Sequence, residues 1–299
     1  MGLLVDGEWR DRWYDTESTG GRFKRQESSF RHWVTADGSA GPGGDGGFQA
    51  ESGRYHLYVS YACPWAHRAL IFRVLKGLEG MIDLSVVHWF MGDQGWTFED
   101  GEGVIPDPLM EADYLREIYT KAKPDYTGRV TVPVLWDKQR HTIVNNESAE
   151  IIRMFNSAFD RLTGDRQDFC PEPLRAEIDA VNARTYEGLN NGVYRAGFAT
   201  TQAAYDEAVA EVFDTLDWME DRLAGQRYLA GDRVTEADWR ALPSLLRFDP
   251  VYHGHFKCNR ARLVDYPALF AYARDLYQTP GIRGTVHPDH YIRHYHYSH

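Results

Sequence analysis

Cys63 is the residue of this sequence that is best placed for nucleophilic chemistry. It stands between a β-rich alternating run, residues 56–60, and a segment, residues 66–78, whose apolar side chains recur with helical spacing. The pattern predicts a strand followed by a helix, with Cys63 at the helix start and Pro64 at the first helical position. Exposed N–H groups and the positive end of the helix dipole favour a thiolate there. We therefore expect Cys63 to be a nucleophile at neutral pH.

The alternative for Cys63 is a structural role, because free cysteine often packs as a small apolar residue. Its position in a strand-to-helix turn before a proline favours the reactive interpretation. A Cys-x-x-Cys redox pair would place its second cysteine at position 66, which is alanine here. Because no resolving thiol stands nearby in the sequence, Cys63 would react through a mixed disulfide with an external thiol.

The elements around Cys63 predict an α/β domain. A second strand over residues 82–90 follows the helix and makes a parallel βαβ unit, with Cys63 at the carboxyl end of a central strand, where open α/β sheets place their sites. Two short β-runs, 130–136 and 142–145, predict a hairpin. Pro133 inside the first run indicates either a cis bond after Val132, which would present the Val132 backbone to a peptide-like ligand, or an edge strand with a trans proline.

Another candidate binding position opens the helix predicted over residues 149–155. The preceding Asn145 and Asn146 offer an amide side chain as its N-cap. In the first turn, N–H groups and the Ser148 hydroxyl could hold a carboxylate, while Glu147 could hold an ammonium group. These groups suit the zwitterionic end of an amino-acid ligand, although ordinary helix capping explains the same residues.

Composition and the spacing of apolar residues divide the remaining chain into an N-terminal arm, a long loop and a helical domain. Residues 1–50 predict an irregular N-terminal arm with a Gly-rich surface loop at 39–47, and residues 91–108 form a long glycine- and acid-rich excursion, typical of functional or disordered loops. After residue 164, long helical patterns at 171–190 and 201–223 predict a helical domain. Within that domain a capping box from Thr235 to Asp238 and a further helix over 266–277 are expected.

The composition is typical of a globular protein that does not bind nucleic acid. The 299 residues are 43% hydrophobic and 14% aromatic, enough for a packed core, and the net charge of −11 argues against a nucleic-acid partner. Three widely separated cysteines suit a reducing cytoplasm. We expect a soluble cytoplasmic protein with no membrane partner, since no apolar run has spanning length and the first residues do not resemble a signal peptide.

The His-rich tail, residues 287–299, lacks zinc-site spacing, so an aromatic, hydrogen-bonding lining is preferred there to a metal site.

Several short motifs follow one another along nearly the whole chain. They are Trp13-Tyr-Asp-Thr, Gly20-Gly-x-Phe23-x-Arg25, Cys63-Pro-Trp-Ala66, Gly95-Trp96-Thr-Phe, Tyr126-Thr-Gly-Arg129-Val-Thr-Val-Pro133, Asn145-Asn-Glu-Ser148 and Gly231-Asp-x-x-Thr235-x-Ala-Asp238. In this order the motifs resemble the glutathionyl-hydroquinone reductases, the xi class of glutathione transferases. The resemblance implies an α/β thioredoxin-like, glutathione-binding domain at 51–164 and an all-α domain with a substrate pocket at 165–299.

The same resemblance implies a role for individual residues. Cys63 would be the catalytic thiolate, and Tyr194, Tyr252 and Tyr295 would line the hydroquinone pocket. The implied glutathione contacts are Trp96, Arg129, Val132, Pro133, Glu147 and Ser148. Glutathione is thus the expected co-substrate, no metal is expected, and the partners would be glutathione and its aromatic conjugates.

The expected activity is the glutathione-dependent reduction of glutathionyl-hydroquinones to hydroquinones through a Cys63 mixed disulfide, with release of oxidised glutathione. The nearer alternative is an omega-like thioltransferase or dehydroascorbate reductase, which also uses a solitary Cys-Pro thiolate. A non-catalytic binding protein of transferase fold is the more distant alternative. The resemblance further implies a homodimer formed through the helical domains.

Overall fold

The computed structural model describes residues 2–298, and these group into two compact units. Unit 1 contains residues 2–13, 26–167 and 284–298, and unit 2 contains residues 14–25 and 168–283. The grouping differs from the three consecutive segments expected from the sequence, because part of the N-terminal arm belongs to unit 2 and the tail belongs to unit 1. Thr200 of unit 2 donates its backbone N–H to the Gly21 carbonyl oxygen over 3.0 Å, which ties the arm to this unit.

Seven short strands lie in unit 1 within the described residues. In chain order they are β1 (Leu3–Val5), β2 (Glu8–Arg10), β3 (Tyr55–Val59), β4 (Ile82–Val86), β5 (Gly128–Arg129), β6 (Val134–Asp137) and β7 (Thr142–Asn145). They form a three-stranded sheet, ordered β2-β1-β5, and a four-stranded sheet, ordered β4-β3-β6-β7.

The four-stranded sheet is built around β3, all five residues of which are buried. Leu57 in β3 lies opposite Leu84 of the parallel strand β4 and opposite Leu135 of the antiparallel strand β6. The predicted parallel pairing around Cys63 is therefore confirmed, although β4 ends at Val86 rather than at residue 90. Since β3 is central, the chain that leaves its carboxyl end begins the next helix at the edge of a buried sheet.

The hairpin predicted around residue 138 is also confirmed, because β6 and β7 pair antiparallel with Trp136 opposite Ile143. Strand β6 begins only at Val134, after a cis Val132–Pro133 peptide bond. The alternative of an edge strand with a trans proline is wrong, because β6 lies between β3 and β7.

The expectation that the first fifty residues are irregular is wrong for residues 3–10. Strands β1 and β2 form a hairpin with Val5 opposite Glu8, and Leu4 of β1 is buried. Its two loop residues, Asp6 and Gly7, have φ angles of 50° and 80°. Asp-Gly is the preferred loop of a two-residue hairpin that needs positive φ at both positions. The dipeptide was thus a signal for this hairpin.

The helices of unit 1 that precede residue 168 are α1 (Pro64–Leu75), α2 (Leu115–Ala122), α3 (Ser148–Ser157) and α4 (Asp160–Thr163). Helix α1 ends before the predicted residue 78, because Gly77 adopts a left-handed φ of 62°. The backbone N–H of Leu78 then donates to the Arg73 carbonyl oxygen over 2.8 Å, which closes the helix end.

Unit 2 is helical, as the sequence predicts. Its helices are α5 (Arg175–Thr185), α6 (Gly192–Gly197), α7 (Gln202–Gly225), α8 (Glu236–Arg247) and α9 (Pro267–Tyr277), with π-helical turns at Tyr186–Asn190 and Phe248–Tyr252 and short 3-10 turns at Glu172–Leu174 and Leu263–Asp265. The predicted helix over 171–190 is thus a 3-10 turn, α5 and a π-helical turn in succession.

The chain returns to unit 1 for its last helix, α10 (Pro288–Ser298), after a 3-10 turn at Ile282–Thr285. The imidazole of His67 in α1 hydrogen-bonds the Thr285 hydroxyl over 2.8 Å, so this end of the chain is tied directly to the helix that follows Cys63. Among residues 2–298, no helix combines the length and the apolar character needed to cross a membrane.

The predicted capping box of α8 is confirmed, and its carboxylate is the centre of a buried network in unit 2. Asp238 accepts a hydrogen bond from the Thr235 backbone N–H over 2.7 Å, and the same carboxylate accepts from the Leu229 N–H over 2.9 Å and the Tyr272 hydroxyl over 2.7 Å. Burial raises the pKa of Asp238 above its ordinary value. Several donors therefore share one buried carboxyl group.

We predict that Asp238→Ala lowers the free energy of unfolding by about 3–5 kcal/mol, because it leaves buried donors without an acceptor. Asp238→Asn keeps one acceptor oxygen, so it should cost less, and Tyr272→Phe removes one donor and should cost about 1 kcal/mol. Urea unfolding followed by circular dichroism gives these values, with exposed Asp232→Ala as the control. Equal stability of Asp238→Ala and Asp232→Ala would show that the network does not stabilise the fold.

Candidate active site

Cys63 occupies the N-cap position of α1, as the sequence predicts. Its sulfur accepts a hydrogen bond from the Ala66 backbone N–H over 3.5 Å, and Pro64 follows at the first helical position. The residue is half-buried. A helix start directs free N–H groups and the positive end of the dipole at the cap residue, and both stabilise negative charge on sulfur. Cys63 is thus partly exposed and lies at a position that favours a thiolate.

The other two cysteines have different surroundings. Cys170 and Cys258 are buried, and all three cysteines are free thiols. The Cys258 thiol lies 3.8 Å from the Phe256 carbonyl oxygen, to which it donates. Burial raises the pKa of Cys258 to about 12, so this group stays protonated at neutral pH. Partial exposure at a helix start separates Cys63 from both other thiols.

Val132 lies beside the candidate nucleophile. The Cys63 sulfur is 3.5 Å from the Val132 carbonyl oxygen, and the peptide bond between Val132 and Pro133 is cis. Within residues 2–298, no acceptor is found for the Val132 backbone N–H. A thiol-containing peptide that joined its sulfur to Cys63 would therefore have a free backbone donor close to its own backbone.

Glu147 takes the N-cap position of α3, which the sequence assigned to an asparagine amide. Its carboxylate oxygen Oε1 accepts from the Ala149 backbone N–H over 3.0 Å. Asn145 acts one step earlier, because its side-chain oxygen accepts from the Glu147 N–H over 2.7 Å. The second Glu147 oxygen accepts from the Ser28 hydroxyl over 3.2 Å. The expectation of an amide cap is therefore wrong, because both asparagines precede the N-cap position, and the Glu147 carboxylate accepts from the helix N–H group.

Ser148 and a buried cation lie next to this cap. Arg68, on α1, is 2% exposed; its guanidinium nitrogen Nη1 is 3.5 Å from the Ser148 hydroxyl, and its charge stands over the Trp65 ring at 4.6 Å. Sequence reasoning missed Arg68. Its signal was a charged residue inside an otherwise apolar helix face, which is rarely buried without a purpose. A positive charge near the N-terminus of α3 adds to the attraction of this position for a carboxylate.

Trp96 is buried and stacks on an imidazole from the last helix. The ring centroids of Trp96 and His294 are 4.9 Å apart, with an interplanar angle of 22°. Arg129, on β5, donates a guanidinium hydrogen bond to the Arg12 carbonyl oxygen. Each predicted glutathione contact in this part of the chain is thus held by a residue that is distant in sequence.

The three tyrosines predicted for an aromatic pocket fall in both units. Tyr194 and Tyr252 belong to unit 2, where their ring centroids are 6.2 Å apart and both rings are buried. The Arg25 guanidinium lies 5.1 Å from the Tyr194 ring centroid. This contact joins the Gly20-to-Arg25 motif to the helices of unit 2, the unit to which the motif belongs. Tyr295 is buried in unit 1.

Two imidazoles of the tail bond to the backbone around the loop that contains Trp96. His290 donates to the Glu102 carbonyl oxygen over 2.9 Å, and His294 donates to the Trp89 carbonyl oxygen over 2.8 Å. Burial lowers the pKa of His290. Among the residues that the structure describes, no group of three or more His, Cys, Asp or Glu side chains could hold a metal ion.

Comparisons with known proteins agree with this geometry. The family model for the glutathione S-transferase N-terminal domain matches residues 62–158, and the model for the C-terminal domain matches residues 202–275. The expected fold, a thioredoxin-like α/β domain with an all-α domain, is confirmed. The first match begins just after β3 and ends one residue beyond α3, and the second runs from the start of α7 into α9.

Individual relatives match the chain over its whole length. It is 57% identical to the glutathionyl-hydroquinone reductase YqjG of Escherichia coli K12 and 56% identical to the reductase PcpF of Sphingobium chlorophenolicum, covering 100% of this chain and 92% of each relative. An omega-like glutathione S-transferase of Schizosaccharomyces pombe is 47% identical, covering 95% of this chain and 91% of that relative.

Solved structures give the same result. The glutathione-bound structure of E. coli YqjG has a TM-score of 0.92 and 53% identity, covering 100% of this chain and 91% of that one. A Xi-class transferase from Natrialba magadii has a TM-score of 0.91 and 52% identity, covering 100% and 89%. Because its fold, its ordered motifs and its full-length relatives agree, the chain belongs to the glutathionyl-hydroquinone reductases, the Xi class of glutathione transferases.

Proposed function

We propose that this protein reduces glutathionyl-hydroquinones to hydroquinones, with glutathione as the reductant and Cys63 as the nucleophile. The observation that carries the proposal is the half-buried Cys63 sulfur at the start of α1, which accepts the Ala66 N–H. The two relatives named as glutathionyl-hydroquinone reductases, at 57% and 56% identity over the whole chain, support the same substrate class.

The reaction has two steps that balance in atoms and electrons. In the first, the Cys63 thiolate attacks the sulfur of the glutathionyl group, and a sulfur–sulfur bond forms as the sulfur–carbon bond breaks. The ring carbon keeps the electron pair and takes a proton, which releases the hydroquinone. In the second, a glutathione thiolate attacks the glutathione sulfur of the mixed disulfide, releasing oxidised glutathione and the Cys63 thiolate.

Glutathione would lie along the groups that surround the Cys63 sulfur in unit 1. We assign its cysteinyl backbone to Val132 next to Pro133, because the Val132 carbonyl oxygen is 3.5 Å from that sulfur. Its γ-glutamyl end is assigned to Glu147 and Ser148 at the start of α3. The buried Arg68 beside Ser148 supports this orientation, because its charge attracts the γ-glutamyl carboxylate.

Two further glutathione contacts are assigned by the family motif. Trp96 would cover the bound peptide, and Arg129 would contact it through its guanidinium group. In the structure Trp96 is held by His294, and Arg129 is held by a hydrogen bond to the Arg12 backbone. Residues that are already ordered lose less conformational entropy when a ligand binds, which supports both assignments.

The aromatic part of the substrate requires donors, because an aryl carbon is a poor leaving group. Tyr194, Tyr252 and Tyr295 supply phenolic hydroxyl groups, and one or more of them would stabilise charge that develops on the ring. Arg129 is a candidate for the same task. A thiolate that leaves a disulfide is a much better leaving group, so it needs far less stabilisation by such donors.

We also propose that the protein works in the reducing cytoplasm, as a homodimer through its helical domains. The three free cysteines, two of them buried, support a reducing compartment. The family resemblance supports the dimer. Light scattering coupled to size-exclusion chromatography measures the mass directly, and a single 34.4 kDa species would contradict the dimer.

Replacing Cys63 by serine should abolish turnover, because serine is not ionised at neutral pH and forms no mixed disulfide. Cys170→Ala and Cys258→Ala should keep the activity. After incubation with oxidised glutathione, intact-mass and peptide analysis should show one glutathione adduct, on Cys63. A mixed disulfide on Cys170 or Cys258, with Cys63 unmodified, would contradict the mechanism.

Glu147→Gln separates ligand binding from helix capping, because glutamine keeps an acceptor oxygen for the Ala149 N–H and loses the negative charge. We expect a roughly tenfold to hundredfold rise in the glutathione KM for Glu147→Gln and roughly twofold to tenfold for Ser148→Ala, with little change in kcat. Thermal unfolding serves as the control for the cap. An unchanged KM in both variants would mean that the pair only caps α3.

Tyrosine-to-phenylalanine variants distinguish hydroquinone reduction from general thioltransferase activity. We expect at least one of Tyr194→Phe, Tyr252→Phe and Tyr295→Phe to lose roughly tenfold to a thousandfold in kcat on a glutathionyl-hydroquinone. The same variant should change little on a simple mixed disulfide. Equal losses on both substrates, or no loss in any variant, would withdraw the aromatic assignment in favour of a thioltransferase.

A further inference from the structure

One face of the C-terminal helix α10 is fixed to the loop that contains Trp96. His290, His294 and Ser298 recur every four residues, a spacing that places side chains on the same side of a helix. We name these three residues the tail face, and we name residues 89–102 the tryptophan loop. All of them belong to unit 1.

Each member of the tail face bonds to the backbone of the tryptophan loop. His290 Nε2 donates to the Glu102 carbonyl oxygen over 2.9 Å, at the carboxyl end of the loop. His294 Nδ1 donates to the Trp89 carbonyl oxygen over 2.8 Å, at its amino end. The Ser298 hydroxyl accepts from the Met91 backbone N–H over 3.0 Å. The helix therefore holds both ends of the loop, independently of the loop's own sequence.

His294 makes a second contact that reaches the functional side chain of the loop. Its imidazole stacks on the Trp96 indole, with ring centroids 4.9 Å apart and an interplanar angle of 22°. Trp96 is 7% exposed and His294 is 4% exposed. Because the Trp89 carbonyl oxygen can only accept, Nδ1 carries the proton and the hydrogen bond fixes the plane of the ring. The indole therefore rests on a surface of fixed orientation.

From this geometry we infer that His294 is a positioning residue for glutathione, acting through Trp96. The inference rests on the proposed glutathione site at Cys63. An aromatic partner that orders the indole before the ligand arrives reduces the entropy lost on binding, so it strengthens binding without taking part in the chemistry. This assigns a role in substrate binding to a tail helix that unit 2 separates from the rest of unit 1 in the sequence.

Three substitutions separate the two contacts of His294. Phenylalanine keeps a flat ring to stack on Trp96 and loses the donor to Trp89. Asparagine keeps an N–H close to the place of Nδ1 and loses the ring. Alanine removes both contacts. His296→Ala is the matched control, because this histidine is on the same helix and is exposed.

The dissociation constant for reduced glutathione should rise roughly twofold to tenfold in His294→Ala and His294→Asn, the range of one aromatic pair, as measured by calorimetry on the full chain. His294→Phe should raise the dissociation constant less than either of these variants, because it keeps the ring that stacks on Trp96 and loses only the hydrogen bond that orients it. His296→Ala should stay close to the wild type. The glutathione KM should follow the dissociation constant while kcat at saturation stays unchanged, since binding to ground and transition states is lost equally. If His294 had only a structural role, its replacement would lower the melting temperature without raising KM at constant kcat.

Hydrogen exchange of the tryptophan loop tests the positioning without any ligand. Exchange over residues 92–99 should be faster in His294→Ala and unchanged in His296→Ala. The inference is overturned if the dissociation constant is the same in His294→Ala and the wild type. It is also overturned if His296→Ala loses as much as His294→Ala, or if His294→Phe does.

The same measurements distinguish this inference from the proposed function. A wild-type protein that binds glutathione but does not reduce a glutathionyl-hydroquinone would overturn the activity and leave the role of His294 intact. If the wild type is active and all four variants bind glutathione with equal affinity, the proposed function stands and the role of His294 is overturned.

Discussion

The proposed chemistry of this protein depends on one interaction, the hydrogen bond from the first turn of α1 to the Cys63 sulfur. A cysteine in that position needs a strand that ends there, a helix that begins there, and a residue at the first helical position whose backbone suits a helix start, as proline does. The buried strand β3 supplies the first, and Pro64 with the apolar face of α1 supplies the others. The same arrangement brings the Val132 carbonyl oxygen to 3.5 Å, because β6 pairs with β3 directly after Val132 and Pro133. The sheet order therefore decides which backbone faces the sulfur.

The elements that local patterns predict well are those whose residues are close in sequence. The strand before Cys63, its helix, the hairpin of β6 and β7, and the Thr235 capping box all follow from alternation, helical spacing and known cap residues. The hairpin at Asp6 and Gly7 was within reach of the same reasoning, because its dipeptide is a strong turn signal, but strands of three residues are too short to show alternation. At Glu147 several side chains could cap one helix, and only the geometry decides among them.

Contacts between distant residues were beyond prediction from one sequence. The Arg68 guanidinium beside Ser148 depends on α1 packing near the start of α3, and the stack of His294 on Trp96 joins segments about two hundred residues apart. Neither pair leaves a periodic signal. A histidine-rich tail suggests metal binding by composition alone, whereas two of its imidazoles, those of His290 and His294, bond to carbonyl oxygens of a loop that the sequence shows only as glycine- and acid-rich. When a side chain bonds to a backbone atom, the residue type of the partner does not reveal the contact, because nearly every residue has the same backbone groups.

The place of α10 has a consequence for how the chain is made. A ribosome delivers the residues of Cys63 and its sheet first, then residues 168–283 of unit 2, and only then the helix that fixes residues 89–102. Domains fold during synthesis as their residues become available, beginning from the N-terminus. Unit 1 is therefore incomplete until the last helix is made, and its tryptophan loop lacks three hydrogen bonds to its backbone while residues 168–283 are translated. The proposed nucleophile, Cys63, is thus present in the nascent chain well before the tryptophan loop gains its last hydrogen bonds.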